Sequence, residues 1–104
     1  MLCALHRKEL LREIAPGTAL RLYDKFLSDC AIGRILRVPF GNDVVARAAD
    51  VVRVAAQRRS KPILIRSLDA IHIASALVIH ASRLVAADAR LREVASLNSV
   101  ALLP

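Results

Sequence analysis

One stretch constrains the fold of this 104-residue chain more than any other: Arg66-Ser67-Leu68-Asp69-Ala70-Ile71-His72-Ile73-Ala74-Ser75-Ala76-Leu77, followed by Leu84-Val85-Ala86-Ala87-Asp88. Ala70, Ile73, Ala74 and Leu77 recur at helical spacing, and the later apolar run has the length of a buried strand. The pattern predicts a helix, a strand and a second helix, with one carboxylate at the start of each helix. In an open parallel α/β sheet, the loops leaving the carboxyl ends of the strands form the ligand crevice, so acids placed there converge on a metal or a phosphate.

The remainder of the chain is consistent with such a layout. Leu2 to Ile14 reads as a helix that stops at Pro16-Gly17. Thr18 caps a second helix on Leu20, Tyr23, Phe26, Leu27 and Ala31, ending near Gly33. Ile35 to Val38 is a short strand stopped by Pro39. Asn42 is the expected N-cap of a helix from Asp43 to Gln57, and a polar break follows from Arg58 to Pro62. The helix of the opening segment runs from Ser67 to Ala81, its small residues allowing close approach to a sheet. Leu84 to Ala87 is a strand, Asp88 to Leu97 a helix and Val100 to Leu103 a closing strand. Helices alternating with short apolar strands predict a parallel α/β sheet with right-handed crossovers in a single domain over 1–104.

A hydrophobic content of 56% is ample for one core, but aromatics make up only 3% and Trp is absent. The core is therefore aliphatic, and aromatic platforms for stacking single-stranded bases are disfavoured. Sixteen Lys and Arg against nine Asp and Glu give a formal charge of +7, which suits a polyanionic partner or simply a solvated basic surface. Arg58, Arg59, Lys61 and Arg66 crowd just ahead of Asp69 and are the candidate nucleic-acid contacts. Cys3 and Cys30 make no Cys-x-x-Cys motif. The most apolar stretch, Ile71 to Ala81, falls well short of the ~20 residues of a membrane span. With no signal-peptide pattern at the N-terminus, the expectation is a soluble, cytoplasmic protein.

Asp69 and Asp88 are the candidate metal-binding and catalytic residues. Each could instead cap its own helix; as a pair they suit magnesium, which takes only one or two protein carboxylates. Arg66 either contacts phosphate or orients Asp69 as its ion-pair partner, the second being preferred, and Ser67 is the expected N-cap. His72 is expected to be partly buried, His6 to face solvent, and His72 and His80 diverge by roughly 80° on a helix, too far for a metal pair. Glu9 and Glu13, flanked by Lys8 and Arg12, read as ordinary surface pairing.

Residues 66–77 resemble the third motif of PIN domains, in the form found in VapC-like toxins of bacterial toxin-antitoxin systems. Leu84-Val85-Ala86-Ala87-Asp88-Ala89-Arg90-Leu91 is similar to that family's fourth motif, and Val100 to Pro104 to its last strand. The resemblance implies a flavodoxin-like, three-layer parallel sheet with helices on both faces. It also implies a magnesium- or manganese-dependent endoribonuclease in which Asp69 and Asp88 hold the metal, with RNA as substrate and a cognate antitoxin as partner; a homodimer formed through the helices is the expectation for an inactive form. Family members open with a central strand bearing a first Asp and a Glu at the head of an early helix, and in this register both fall before Met1. The expectation is thus a truncated or wrongly started PIN-like domain, either still a ribonuclease or an inactive RNA-binding or protein-interaction module.

Overall fold

The structure is a computed structural model that describes residues 1–104, and every regular element in it is a helix: α1 (Leu2–Leu10), α2 (Thr18–Ala31), α3 (Asn42–Ala56), α4 (Ser67–Val78) and α5 (Ala89–Leu97). Helical periodicity therefore located all five. The expected parallel α/β sheet is not formed. Of the three expected strands, Ile35–Val38 pairs with nothing and leaves Leu36 83% exposed. The other two meet at one parallel bridge, Leu84 to Leu102, where the Leu84 N–H donates to the Ala101 carbonyl (2.8 Å) and the Leu103 N–H to the Leu84 carbonyl (3.0 Å).

A side chain stops this ladder at one rung. The Arg92 guanidinium donates to the Ala86 carbonyl at 2.8 Å and to the Leu103 carbonyl at 2.9 Å, occupying the acceptor where the next pairing would fall. Short apolar runs bounded by turns are equally compatible with extended connectors that bury alternate residues. Leu84 is half-buried against the core while Val85 is exposed, as such a connector requires.

The chain forms two compact units, Met1–Arg37 and Val38–Pro104. In the first, α1 packs against α2, and Ala19 is its one fully buried residue. Thr18 does not cap α2; Gly17, at φ +83°, is the N-cap residue and provides no side chain. Glu9 on α1 does the work instead: its Oε1 accepts from the Ala19 N–H at 2.7 Å, so a carboxylate meets the positive end of the helix dipole. The surface pairing expected of Glu13 is an ion pair to Lys8 at 2.9 Å.

In the second unit α3 packs along α4, with α5 against both. The buried cluster joins Val44, Val51 and Ala55 of α3, Ala70, Ile73 and Ala74 of α4, and Val94 and Ala95 of α5. The small-residue face of α4 is real, but what lies on it is helix α3 rather than a sheet. Helix α4, whose apolar run suggests burial on most sides, keeps an open one: Leu68 is 70% exposed and His72, expected to be partly buried, faces solvent.

Four helices end in the same way. After α1, α2, α4 and α5 the chain turns through a left-handed residue, respectively Arg12 (φ +58°), Gly33 (+80°), His80 (+53°) and Ser99 (+61°). At each, paired backbone hydrogen bonds close the last turn, as in Ala81 N–H to Ala76 O and His80 N–H to Leu77 O after α4. This is the Schellman arrangement, normally the place of glycine, and three of the four positions here lack one. It ends α4 at Val78, so His80 lies beyond the helix and its angle to His72 is not the helical one.

Candidate functional site

The polar break after α3 becomes an irregular segment that bends at Arg59 and Ser60. Buried Ile63 anchors it to the core, its N–H donating to the carbonyl of Ala55 at 2.9 Å. On the other side, the Arg90 guanidinium of α5 donates to the Leu64 carbonyl at 3.3 Å. Arg90 is thus a tether as well as a helix-surface residue. Between this segment and the starts of α4 and α5 lies an open cleft of about 640 Å³. Its charged lining includes Arg58, Lys61, Arg66, Asp69, Asp88 and Glu93, with Leu64 and Pro62 among its apolar part.

Both candidate acids and three of the four candidate cations therefore face one cleft, although no sheet brings them there. Arg59 is exposed and lies outside the lining. The two carboxylates are held differently. Asp88 is the N-cap of α5, its Oδ1 accepting from the Leu91 N–H at 2.9 Å, so its ordinary capping role is fulfilled. Asp69 sits in the first turn of α4, half-buried, where the helix dipole favours its charge. It caps nothing: the N-cap position belongs to Arg66, not Ser67, and no side-chain cap bond is made there.

Arg66 does not pair with Asp69. The ion pairs of the chain are Lys8–Glu13, Lys25–Asp29, Arg34–Asp29, Arg53–Asp50 and Arg58–Glu93, and the His6 imidazole lies 4.0 Å from Glu9. Lys61, Arg66, Arg90, Asp69 and Asp88 are in none of these pairs, so three cations and two carboxylates of the cleft have no partner of opposite charge, although Arg90 is held by the Leu64 carbonyl and Asp88 by the Leu91 amide. Arg58 is the exception: it donates to Ser60 Oγ at 2.9 Å and reaches across to Glu93 on α5. Glu93 was not singled out in the sequence. Its partner lies 35 positions away, and no local spacing marks the pair.

No group of three or more His, Cys, Asp and Glu side chains is placed to hold a metal ion. The oxygen donors of Asp69 and Asp88 suit a hard cation such as magnesium, which keeps several waters and commonly completes its shell with substrate phosphate. They do not suit zinc, which prefers nitrogen or sulfur donors in a fuller set. None of the five helices is long and apolar enough to cross a membrane. The chain matches no protein-family model, no curated protein and no solved structure.

Proposed function

We propose that this chain binds the phosphodiester backbone of RNA in the cleft and cleaves it as a magnesium- or manganese-dependent endoribonuclease. One observation carries the reading: Asp69, a carboxylate with no structural employment, faces the same cleft as the unpaired cations Lys61 and Arg66. Lys61 and Arg66 hold a phosphate by charge-assisted hydrogen bonds, Arg66 with the planar fork that matches phosphate oxygens. Asp69 and Asp88 are the residues that would hold the ion. When bound, a divalent ion supplies charge neutralisation at the phosphate undergoing substitution. Asp88 keeps one oxygen on the α5 amide, which fixes the orientation of the other. The likeness of residues 66–77 and 84–91 to PIN-domain motifs supports the same chemistry, without the sheet that family would bring.

Incubating the intact chain with RNA, with and without magnesium, tests the proposal. Cleavage is expected only with the ion, and Asp69→Asn is expected to reduce it to background. Cleavage that survives in chelator or in Asp69→Asn overturns it. The engagement of Glu93 by Arg58 favours a second reading, because it leaves only two carboxylates free for the ion: a cleft that binds RNA without cutting it. In that case Lys61→Ala/Arg66→Ala weakens a salt-sensitive association, and no cleavage accompanies it.

A further inference from the structure

The Arg58–Glu93 pair is the one ion pair within the cleft, and it joins the segment after α3 to α5. We infer that it is an exchangeable plug. An entering RNA phosphate takes the Arg58 guanidinium from Glu93, so the carboxylate opposes phosphate binding until it is displaced. The inference rests on the reading that this cleft binds RNA phosphate.

Three observations support it. Carboxylate and phosphate present the same acceptor geometry to a guanidinium fork, so one can replace the other on Arg58 without rebuilding the site. Both partners are partly open to solvent, Arg58 at 29% and Glu93 at 49% side-chain exposure, and an ion pair so placed is held weakly enough to exchange. Arg58 is also steadied by Ser60 Oγ at 2.9 Å, so the guanidinium stays at the wall of the cleft when Glu93 lets go. Lys61 and Arg66 are free from the start, whereas Arg58 becomes available only by exchange. Glu93 therefore sets how tightly the cleft discriminates against weak anions.

The test measures binding of a short single-stranded RNA to the full-length chain across a salt series, in magnesium-free buffer so that cleavage does not interfere. Glu93→Gln is expected to bind about two- to fivefold more tightly, the range set by an exposed ion pair. Its log–log salt slope should stay close to the parent's, because Arg58 meets phosphate in both complexes. Adding Arg58→Gln to Glu93→Gln should erase the gain and make the slope shallower by about 0.7, the share of one phosphate contact to single-stranded RNA. Unchanged affinity in Glu93→Gln, while Lys61→Ala/Arg66→Ala weakens binding, overturns the plug and leaves the cleft reading in place. A gain that persists with Arg58→Gln also overturns it. Binding that Lys61→Ala/Arg66→Ala leaves intact removes the cleft reading, and the plug with it. Glu93 lies on the exposed side of α5, and circular dichroism of each variant checks that helix content is kept.

Discussion

Asp69 and Asp88 occupy corresponding places in the sequence pattern and different ones in the structure. Asp88 closes a backbone amide at the start of α5, whereas Asp69, one turn into α4, closes none. Asp88→Ala should therefore cost about 1 kcal/mol of stability through the lost cap. Asp69→Ala, removing a side chain with no partner, should stay within about 0.5 kcal/mol. Urea unfolding of the two variants measures the contrast, and equal losses would mean that Asp69 has a structural role after all. Glu9 illustrates the opposite difficulty. Its short range neighbours suggested surface pairing, yet its Oε1 caps a helix ten positions later. A cap supplied from another element leaves no mark in the local sequence, whereas a cap supplied by the N-cap residue itself, as with Asp88, does.

Helices were legible because each declares itself over several turns, and their starts were read to within a residue or two. What the sequence could not show was the partner of each apolar face. The Ala70–Ile73–Ala74 face of α4 would suit a sheet or a helix equally, and α3 supplied an equally apolar stripe in Val44, Val51 and Ala55. The strands failed for a different reason. Leu84–Ala87 and Val100–Leu103 meet only at the single Leu84–Leu102 bridge, and Arg92 donates to the Leu103 carbonyl to which the next rung, from the Ala86 N–H, would run. Arg92 thus fastens the C-terminal connector to α5, and Arg92→Ala should destabilise the protein by about 1–2 kcal/mol through two lost charge-assisted bonds. Thermal unfolding checks this; a melting temperature unchanged from the parent would show the contacts to be dispensable. The candidate site was legible as a set of residues, because Asp69, Asp88, Arg58, Lys61 and Arg66 do share a cleft. Its Glu93 wall and the ion pair across it were not.

Across the molecule the formal charge of +7 leaves two ways of meeting RNA: the cleft alone or the basic surface as a whole. They differ in how many counterions are released. Contacts from Lys61, Arg66 and an exchanged Arg58 predict a log–log salt slope of at most about −2 for single-stranded RNA. Titration at several ionic strengths measures it, and a slope steeper than about −4 would assign binding to the surface at large. Burial is as unevenly distributed as function: eleven of the twelve buried apolar residues lie in Val38–Pro104. Two of them, Ala70 and Ala74, are 1% and 0% exposed where α4 meets the core, while Leu68 and His72 on the same helix look outward. Their place sets the pace at which this segment could drift. The alanines are locked by volume, since any added carbon must displace its neighbours, whereas Leu68 and His72 are free to vary at little cost. Within residues 66–77, crowding therefore restricts Ala70, Ile73, Ala74 and Ala76, whereas the outward positions answer only to whatever meets them from solvent.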